Sequence, residues 1–556
     1  MTARLLLAST AILAASLASP PTSGAARLAV GIADGASRER VRAALEATAD
    51  GPVESLAPLP VFVVTASSAR ELAAIPGVSY VEPVRVRRAA SMPDDPLLPR
   101  QWYLTEDRAV EAWSAAPPLA GVRVAVIDSG VDRGHPELVR RIAAARSFVG
   151  GSARDTQGHG TIVAGIIAAE TNNATGIAGL APDAELLVAK VVGPERTISV
   201  EAEARAIRWA VAQGARVINM SIGGLRDPSN PNRDTYSRLE AEAVAYAVSK
   251  GVVVVAAVGN GDTAPRQPWP FASYPAALPH VLGVSAVLRS GAVPQYSNRD
   301  PVFNDVAAPA QDIVSTFPRH LTARRVGCLE QGYTLCAAGE FHAPEGTSFA
   351  APQVSAAAAQ LLAADPTLSA DQVTTIIERA ALDADWTNGC GRCAVGRDAY
   401  SGWGRLDMAQ AAEALGSAPS PDRFETNDDA GRHAYRLYGG WRTRSVEASL
   451  DFWDDQSDVY GVYLRKNQRI DVSLAGPEGA NPSLLLWHPH AERVDDLSGQ
   501  GLRMRASTRP GAREHLGAVS RGAGWYFVHV KLGAPGEGGY RLTIARSRVA
   551  PRAGPS

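Results

Sequence analysis

The 556-residue chain has almost no excess of charge, with 55 lysine and arginine residues against 57 aspartate and glutamate residues and a net charge of −2. The basic and acidic residues are also interspersed along the sequence. Proteins that bind nucleic acid or an anionic membrane surface usually carry a basic surplus. The composition therefore indicates neither partner.

The chain also lacks a long apolar run. Residues 5–15 are apolar, follow Arg4 and precede small residues and prolines that extend to about Ala25. This run is too short to cross a bilayer, which takes about 20 residues. The pattern is typical of a secretory signal peptide at residues 1–25, and no later run of spanning length is free of glycine, proline or charge. We expect a secreted, extracellular protein without a membrane partner.

Cysteine is scarce, with only Cys328, Cys336, Cys390 and Cys393. An even number of cysteines in a secreted chain favours disulfides. Of the three possible pairings, the local one, Cys328 with Cys336 and Cys390 with Cys393, closes two short loops. Zinc is the alternative, although the spacing of the first pair does not suit a zinc ribbon. A redox role for the second pair lacks a preceding strand and a following helix.

A single hydroxyl lies between a small-residue turn and an apolar helix in residues 346–352, whose sequence is G-T-S-F-A-A-P. The helix is expected to begin at Ser348 and to reach about Leu362. Unpaired N–H groups at a helix start stabilise negative charge, so this position suits a nucleophile. A serine hydroxyl is a weak nucleophile and needs a histidine base that is oriented by a carboxylate.

Two upstream segments can supply these partners. Residues 122–127 form an apolar run that ends in Asp128, as expected of a buried parallel strand whose C-terminal end carries a functional group. His159 lies between two glycines and opens a helix that is apolar on every side and hence buried. Each motif alone is weak, because an acid after a strand is commonly a turn residue and a histidine at a helix start is commonly a cap or a surface residue.

The order Asp128, His159, Ser348 with these local sequences resembles the subtilisin-like serine proteases over about residues 100–415. Further matching motifs are N-M-S-I-G-G at 219–224, A-V-G-N-G at 257–261, Y-P-A at 274–276 and Y-S-N at 296–298. The resemblance implies that Asp128 orients His159 and that His159 takes the proton of Ser348. Asn260 and the backbone N–H of Ser348 would then stabilise the oxyanion.

The resemblance also implies where a polypeptide substrate binds. The substrate would add as an extended strand along Ser221, Ile222 and Gly223, where the missing side chain of the glycine lets another backbone approach. Its first side chain would enter a pocket between this segment and a second one, Ala257, Val258 and Gly259. Ser273 matches the pocket floor, which is often glycine in the family. A larger floor residue predicts a preference for medium apolar side chains.

A calcium site is implied at residues 171–177, which match the calcium loop of bacterial subtilisins in length. A hard cation prefers six to eight oxygen ligands. By the resemblance, these would come from Asn173, Thr175, Asp95 and Glu137 and from the carbonyls of Thr171 and Ile177. A polar loop without metal is the alternative. No organic cofactor is implied.

Three folded parts are expected. Alternating helix and strand patterns in residues 93–416 predict an α/β domain with a doubly wound parallel sheet of subtilisin type. Residues 26–90 show a βαββαβ order that predicts a small α+β domain and resembles the inhibitor propeptide of the family; a generic ferredoxin-like module is the alternative. Residues 421–547 contain six short strand patterns that predict a β-sandwich.

The C-terminal part resembles a domain appended to many secreted bacterial peptidases. Its acidic residues could bind calcium, although solvated turn carboxylates are the commoner explanation. The combined hypothesis is a monomeric serine endopeptidase that is made as a self-processed zymogen, with its own propeptide as inhibitor. The alternative is a catalytically silent member of the same fold that serves as a binding or scaffold protein. It is disfavoured because the nucleophile, base, orienting acid and oxyanion donor are all present.

Overall fold

A computed structural model describes residues 26–33, 35–84, 92–116, 118–322, 340–417, 422–452, 455–477, 479–494, 502–533 and 536–548. The chain divides into two compact units, residues 1–88 and 89–556. The second unit contains both the expected catalytic region and the expected sandwich. The signal peptide predicted at residues 1–25 lies outside the described residues. In the ranges described, no helix combines the length and the apolar character that a membrane span requires.

The first unit has the predicted βαββαβ order. Its elements are β1 (Ala26–Ile32), α1 (Arg38–Thr48), β2 (Glu54–Ser55), β3 (Val61–Ala66), α2 (Ala69–Ala73) and β4 (Val78–Pro83). The strands form an antiparallel sheet in the order β2-β3-β1-β4. Both helices begin after a serine whose side chain accepts a hydrogen bond from the first turn, Ser37 for α1 and Ser68 for α2.

The second unit is built on a seven-stranded parallel sheet, which confirms the predicted fold class. Its strands are β5 (Arg123–Asp128), β6 (Ile142–Ser147), β7 (Glu185–Lys190), β8 (Val217–Met220), β9 (Val253–Ala257), β10 (Val281–Val287) and β11 (Val306–Pro309). They lie in the order β11-β10-β9-β8-β5-β7-β6. The small strands β12 (Ser315–Thr316) and β13 (Phe341–His342) pair with each other.

Helices cover both faces of this sheet. They are α3 (Trp102–Glu106), α4 (Ala109–Ala115), α5 (His159–Ala168), α6 (Val200–Ala212), α7 (Arg238–Val248), α8 (Arg319–Thr322), α9 (Ala351–Ala364), α10 (Ala370–Ala380) and α11 (Met408–Glu413). Val124 and Val126 of β5 pack in one core cluster with α5 and α9. Ala125 and Ile127 pack in a second cluster with α6 and α7. Because successive side chains point to opposite faces, a strand buried on both sides must be apolar throughout.

The C-terminal part of this unit contains two mostly antiparallel sheets. The strands are β14 (Tyr435–Arg436), β15 (Thr443–Asp451), β16 (Ser457–Leu464), β17 (Gln468–Ala475), β18 (Pro482–Trp487), β19 (Arg503–Ser507), β20 (Arg513–Val519), β21 (Gly524–Leu532) and β22 (Glu537–Arg548). The sheet orders are β14-β16-β21-β18-β19 and β15-β22-β17-β20. One of the six strand patterns expected from the sequence covers residues 437–446; it was misplaced, since β15 begins at Thr443. Strands β19 and β20 escaped prediction because their exposed positions carry charged residues.

Cys390 and Cys393 form a disulfide with their Cα atoms 5.4 Å apart. Cys328 and Cys336 lie outside the described residues. Their predicted pairing therefore stays a prediction.

Two buried glutamates on neighbouring helices predict how stability depends on pH. Burial raises the pKa of Glu203 in α6 to about 7. Burial, followed by the charge of Glu203, raises the pKa of Glu240 in α7 to about 8. A carboxyl group whose pKa is higher in the folded chain stabilises the fold at low pH and loses that contribution as pH rises through the folded pKa.

We expect Glu240→Gln to reduce the fall in unfolding temperature between about pH 5 and about pH 9, by about 2–4 °C for each kcal/mol restored. Thermal unfolding is best measured on a chain that also carries Ser348→Ala, so that self-digestion does not interfere. Glu201→Gln, which removes an exposed carboxyl group from α6, is the matched control. An equal pH dependence in the parent and in Glu240→Gln would contradict the assignment.

Candidate active site

The loops that follow neighbouring strands of the parallel sheet meet at its C-terminal edge. Asp128 is the last residue of β5, Ser221 follows β8, and Asn260 comes shortly after β9. Functional groups of open α/β sheets collect at this edge, where connections leave in opposite directions. In this sheet, the change of direction falls between β5 and β8.

Asp128 and His159 are in direct contact. Nδ1 of His159 lies 2.8 Å from Oδ1 and 2.9 Å from Oδ2 of Asp128. The carboxylate is fully buried, whereas 19% of the histidine side chain is exposed. Burial lowers the pKa of His159, but the charge and hydrogen bond of Asp128 outweigh it and raise the pKa above its ordinary value. Because Nδ1 is held by the acid, Nε2 is the nitrogen that can take a proton.

Asp155 positions this pair, and its role was not predicted from the sequence. Its Oδ1 accepts from the N–H of Gly158 at 2.8 Å, and its Oδ2 accepts from the N–H and hydroxyl of Thr161 at 2.9 and 2.7 Å. Its Oδ1 also accepts from the hydroxyl of Ser129, next to Asp128, at 2.9 Å. Asp155 thus ties the start of α5 to the end of β5. The sequence signal that could have revealed this role is an acidic residue just before a helix start that is flanked by glycines.

Ser348 lies in a 3₁₀ turn (Thr347–Phe349) that precedes α9, so the predicted helix start at this residue was early. Its hydroxyl donates to the carbonyl of Ser221 at 3.1 Å, and the Ser221 hydroxyl donates to the carbonyl of Ser348 at 2.7 Å. The ring of Phe349, the next residue, lies 5.2 Å from that of His159. Within the described part of the chain, the N–H of Ser348 has no hydrogen-bond acceptor.

Asn260 is held through its amide oxygen, which contacts Thr347. The oxygen accepts from the N–H of Thr347 at 2.9 Å and from the Thr347 hydroxyl at 2.8 Å. Its Nδ2 donates to no residue in the described ranges. Thr347, which fixes this orientation, was another residue that the sequence analysis missed. Its position directly before the nucleophile was the only signal.

The expected substrate-binding strand is open on one side. Ser221 is buried, Ile222 is half-buried, and Gly223 is exposed. Among the described residues, neither backbone group of Gly223 has a hydrogen-bond partner. A Cβ added to Gly223 would lie 2.5 Å from the carbonyl oxygen of Tyr274. The position of the Tyr274 carbonyl therefore also requires a glycine here, and the approach of a substrate backbone to Gly223 stays a prediction.

The expected pocket residues lie together beside this strand. Ala257 and Val258 are buried, and Gly259 has a φ of 97°. A Cβ on Gly259 would meet the hydroxyl of Ser273 at 2.4 Å. Ser273 is 8% exposed, and its hydroxyl accepts from Nδ2 of Asn298 at 3.2 Å. Ser273 thus lies directly behind Gly259, with its hydroxyl already engaged.

The expected calcium ligands converge from three segments. The carboxylate of Asp95 accepts from the N–H groups of Asn172 at 3.0 Å and Asn173 at 3.4 Å. Glu137 accepts from the Thr175 hydroxyl at 2.9 Å and from Nδ2 of Asn173 at 3.4 Å. The two residues expected to contribute carbonyls, Thr171 and Ile177, flank these side chains in the loop, and Ile177 is buried.

The chemistry of this donor set fits a hard cation. All of its side-chain ligands are oxygens, two of them on carboxylates. Burial raises the pKa of Glu137 to about 7 and that of Asp95 above its usual range, despite hydrogen bonds that lower both. A neighbouring cation would offset the cost of burying these two charges.

Comparison with known proteins identifies the family. The model of the family described as "Subtilase family" matches residues 120–409. The chain belongs to the subtilase family. The matched region of this subtilase contains Asp128, His159, Asn260 and Ser348, and ends before the C-terminal sheets.

Three curated relatives show how far the similarity reaches. A thermophilic serine proteinase of Bacillus sp. (strain AK1) is 35% identical over 289 residues, which cover 51% of this chain and 63% of the relative. Thermitase of Thermoactinomyces vulgaris is 37% identical over 230 residues, 41% of this chain and 76% of the relative. Subtilisin E of Bacillus subtilis (strain 168) is 32% identical over 349 residues, 62% of this chain and 78% of the relative. The matched region therefore covers less than two thirds of the thermophilic serine proteinase.

The hydrogen bonds of Thr347 predict two graded effects on turnover. Asn260→Leu removes the donor at similar size and should lower kcat about a hundredfold or more with little change in KM, because an oxyanion donor stabilises the transition state more than the bound substrate. Thr347→Val removes only the hydroxyl that orients Asn260, so kcat should fall less. In the double variant the loss should match that of Asn260→Leu alone, because Thr347 acts through Asn260. Steady-state kinetics on one peptide substrate measures all three, and additive losses would remove Thr347 from this role.

Proposed function

We propose that this subtilase is a secreted serine endopeptidase, made as a self-processed zymogen. The observation that carries the proposal is the contact between the buried Asp128 and His159 beside the loop of Ser348. Two further features support it: the uncommitted N–H groups of Asn260 and Ser348. Together they supply the base, the nucleophile and the oxyanion donors that acyl transfer needs.

Each residue has one role in the proposed reaction. The oxygen of Ser348 attacks the scissile carbonyl while its proton passes to Nε2 of His159. Asp128 stabilises the imidazolium that forms, and the donors on Asn260 and Ser348 bind the oxyanion. His159 then gives the proton to the leaving amine. A water molecule deprotonated by His159 releases the acyl group from Ser348 in the same way.

The polypeptide substrate would pair with the open backbone of Gly223 as an additional strand. Its first side chain would enter the pocket bounded by residues 257–259. Ser273 behind Gly259 shortens that pocket, so medium apolar side chains are favoured. Residues 26–90 would act as the inhibitor propeptide, and the chain as a monomer.

A fluorophosphonate probe tests the proposed activity directly. The purified chain should be labelled on Ser348 and should hydrolyse a denatured protein, whereas Ser348→Ala should do neither and should remain an unprocessed precursor. Ser355→Ala, which removes another buried hydroxyl near β8, is a control that should still be labelled. A folded parent chain that does not react would favour the silent scaffold instead.

Calcium would be held by Asp95, Glu137, Asn173 and Thr175 with the carbonyls of Thr171 and Ile177. Its role here is structural, because it links the segment before α3 to the loops before β6 and after α5. A cation that binds only the folded arrangement stabilises it by about 2.7 kcal/mol at a hundred times its dissociation constant.

Chelation should therefore shorten the half-life of activity at raised temperature much more than it lowers the initial rate. The variant Glu137→Gln with Asn173→Ala should have a short half-life with or without chelator. Glu195→Gln, which removes an exposed carboxyl group, should behave like the parent. A variant half-life that still depends on chelator as strongly as the parent's would show that this loop holds no functional calcium.

A further inference from the structure

The two sides of the expected substrate pocket are joined by a short segment, Ser273 and Tyr274. The N–H of Ser273 donates to the carbonyl of Val258 at 2.8 Å. Tyr274 and Gly224 exchange both of their backbone hydrogen bonds, each at 2.9 Å. Gly224 directly follows the residues 221–223 that are expected to pair with the substrate. A shift of Tyr274 would therefore move both the pocket and the strand beside it.

The side chain of Tyr274 packs against a second tyrosine, Tyr236. Tyr274 is buried, and its ring lies edge-on to that of Tyr236 with the centroids 5.6 Å apart. Tyr236 belongs to a segment that is tied to the same strand, because the N–H of Thr235 donates to the carbonyl of Leu225 at 2.9 Å. Leu225 is the residue after Gly224. Both tyrosines thus lie on segments that are hydrogen-bonded to the continuation of the substrate-binding strand.

An arginine from the C-terminal part of the chain contacts both of these tyrosines. Arg493 comes shortly after β18, and its guanidinium carbon lies 4.9 Å from the centroid of the Tyr236 ring. This distance is within the range of a cation–π interaction. Burial raises the pKa of Tyr274, whereas the charge of Arg493 and its hydrogen bond with the Tyr274 side chain act in the opposite direction. The guanidinium therefore holds the two rings at once.

The backbone beside Arg493 is anchored in the C-terminal sheets. Val494, the next residue, is buried in a core cluster that also contains Trp487 and Phe527. Its N–H donates to Oδ1 of Asp429 at 2.7 Å. A long side chain loses rotamer entropy when it is ordered. Because the backbone is fixed and both aromatic partners are in place, the guanidinium of Arg493 is held in one orientation against that loss.

A neighbouring charged contact between the same two parts of the chain is of a different kind. Arg238 of α7 donates to Glu492 at 3.1 Å, but 64% and 63% of these side chains are exposed. Exposed ion pairs contribute little to stability. Arg493 differs from Glu492 because it contacts a buried residue, Tyr274, that belongs to the pocket.

We propose that Arg493 is a specificity-determining positioning residue. By holding Tyr236 and Tyr274, it fixes the width of the pocket that receives the first side chain of the substrate. The inference rests on the proposed endopeptidase function and extends it, because the C-terminal part then takes part in the choice of substrate. Arg493 acts through Tyr274 and takes no part in the chemical step.

Arg493→Met tests this role, because it keeps most of the side-chain length and removes the charge and the donors. The two sides of the pocket are then no longer held together, so larger side chains should gain. The ratio of kcat/KM for a peptide cleaved after leucine to that for the matched phenylalanine peptide should fall about threefold or more. Tyr274→Phe should lower the ratio in the same direction. The double variant should match the larger single effect, because Arg493 acts through the Tyr274 hydroxyl.

The matched control is Glu492→Gln, which removes the exposed partner of Arg238 and should keep the parent's ratio. Fluorophosphonate titration of Ser348 gives the concentration of active enzyme in each sample, and thermal unfolding measures stability. A general loss of stability lowers the active fraction and leaves the ratio unchanged.

The same measurements separate failure of this inference from failure of the proposed function. A folded parent chain that is not labelled at Ser348 contradicts the endopeptidase function and the inference with it. A labelled parent whose ratio is unchanged by Arg493→Met overturns the role of Arg493 alone. A mature, labelled enzyme whose mass shows that residue 493 has been removed also overturns this role.

Discussion

The contact between the buried carboxylate of Asp128 and the ring of His159 depends on the relative position of the end of β5 and the start of α5. A fully buried charge is tolerated only where hydrogen bonds and an opposite charge compensate for lost water. Here Ser129 donates its N–H to Asp128 at 2.6 Å, and Asp155 bonds both the loop after β5 and the first turn of α5. The orientation of the base is thus a property of the sheet edge as a whole.

Hydrogen bonds between two separate loops also hold the part of the site that contains Asn260 and Ser348. Asn260 comes from the loop after β9, and Thr347 comes from the turn that leads into α9. Their two hydrogen bonds hold the amide oxygen of Asn260, and its Nδ2 has no acceptor among the described residues. Preorganised donors of this kind cost no reorientation when charge develops. The position of Ser348 is set by the same turn and by its mutual hydrogen bonds with Ser221.

Buried carboxyl groups away from the active site are stabilised in different ways. Asp155 is satisfied by hydrogen bonds from backbone and hydroxyl groups. Glu203 and Glu240 have raised pKa values because burial favours their neutral forms. Burial also raises the pKa values of Glu137 and Glu425, and nearby carboxyl groups raise them further. The ionisation of a buried carboxyl group therefore depends on the hydrogen-bond donors and charges that surround it.

The sequence by itself determined the parallel sheet, because strands that are buried on both faces must be apolar. It also determined the order of the segments that carry Asp128, His159 and Ser348. It could not reveal β6, whose run of alanines favours a helix and becomes a strand only through pairing with β7. The role of Thr347 and the contact of Gly223 with Tyr274 were likewise hidden, since each depends on a residue distant in the chain. From the sequence alone, the acidic residues of the C-terminal part are expected to be solvated turn residues. Only the tertiary structure brings the segment 422–428 together with Asp455 and Asp458 and thereby makes their charges depend on one another.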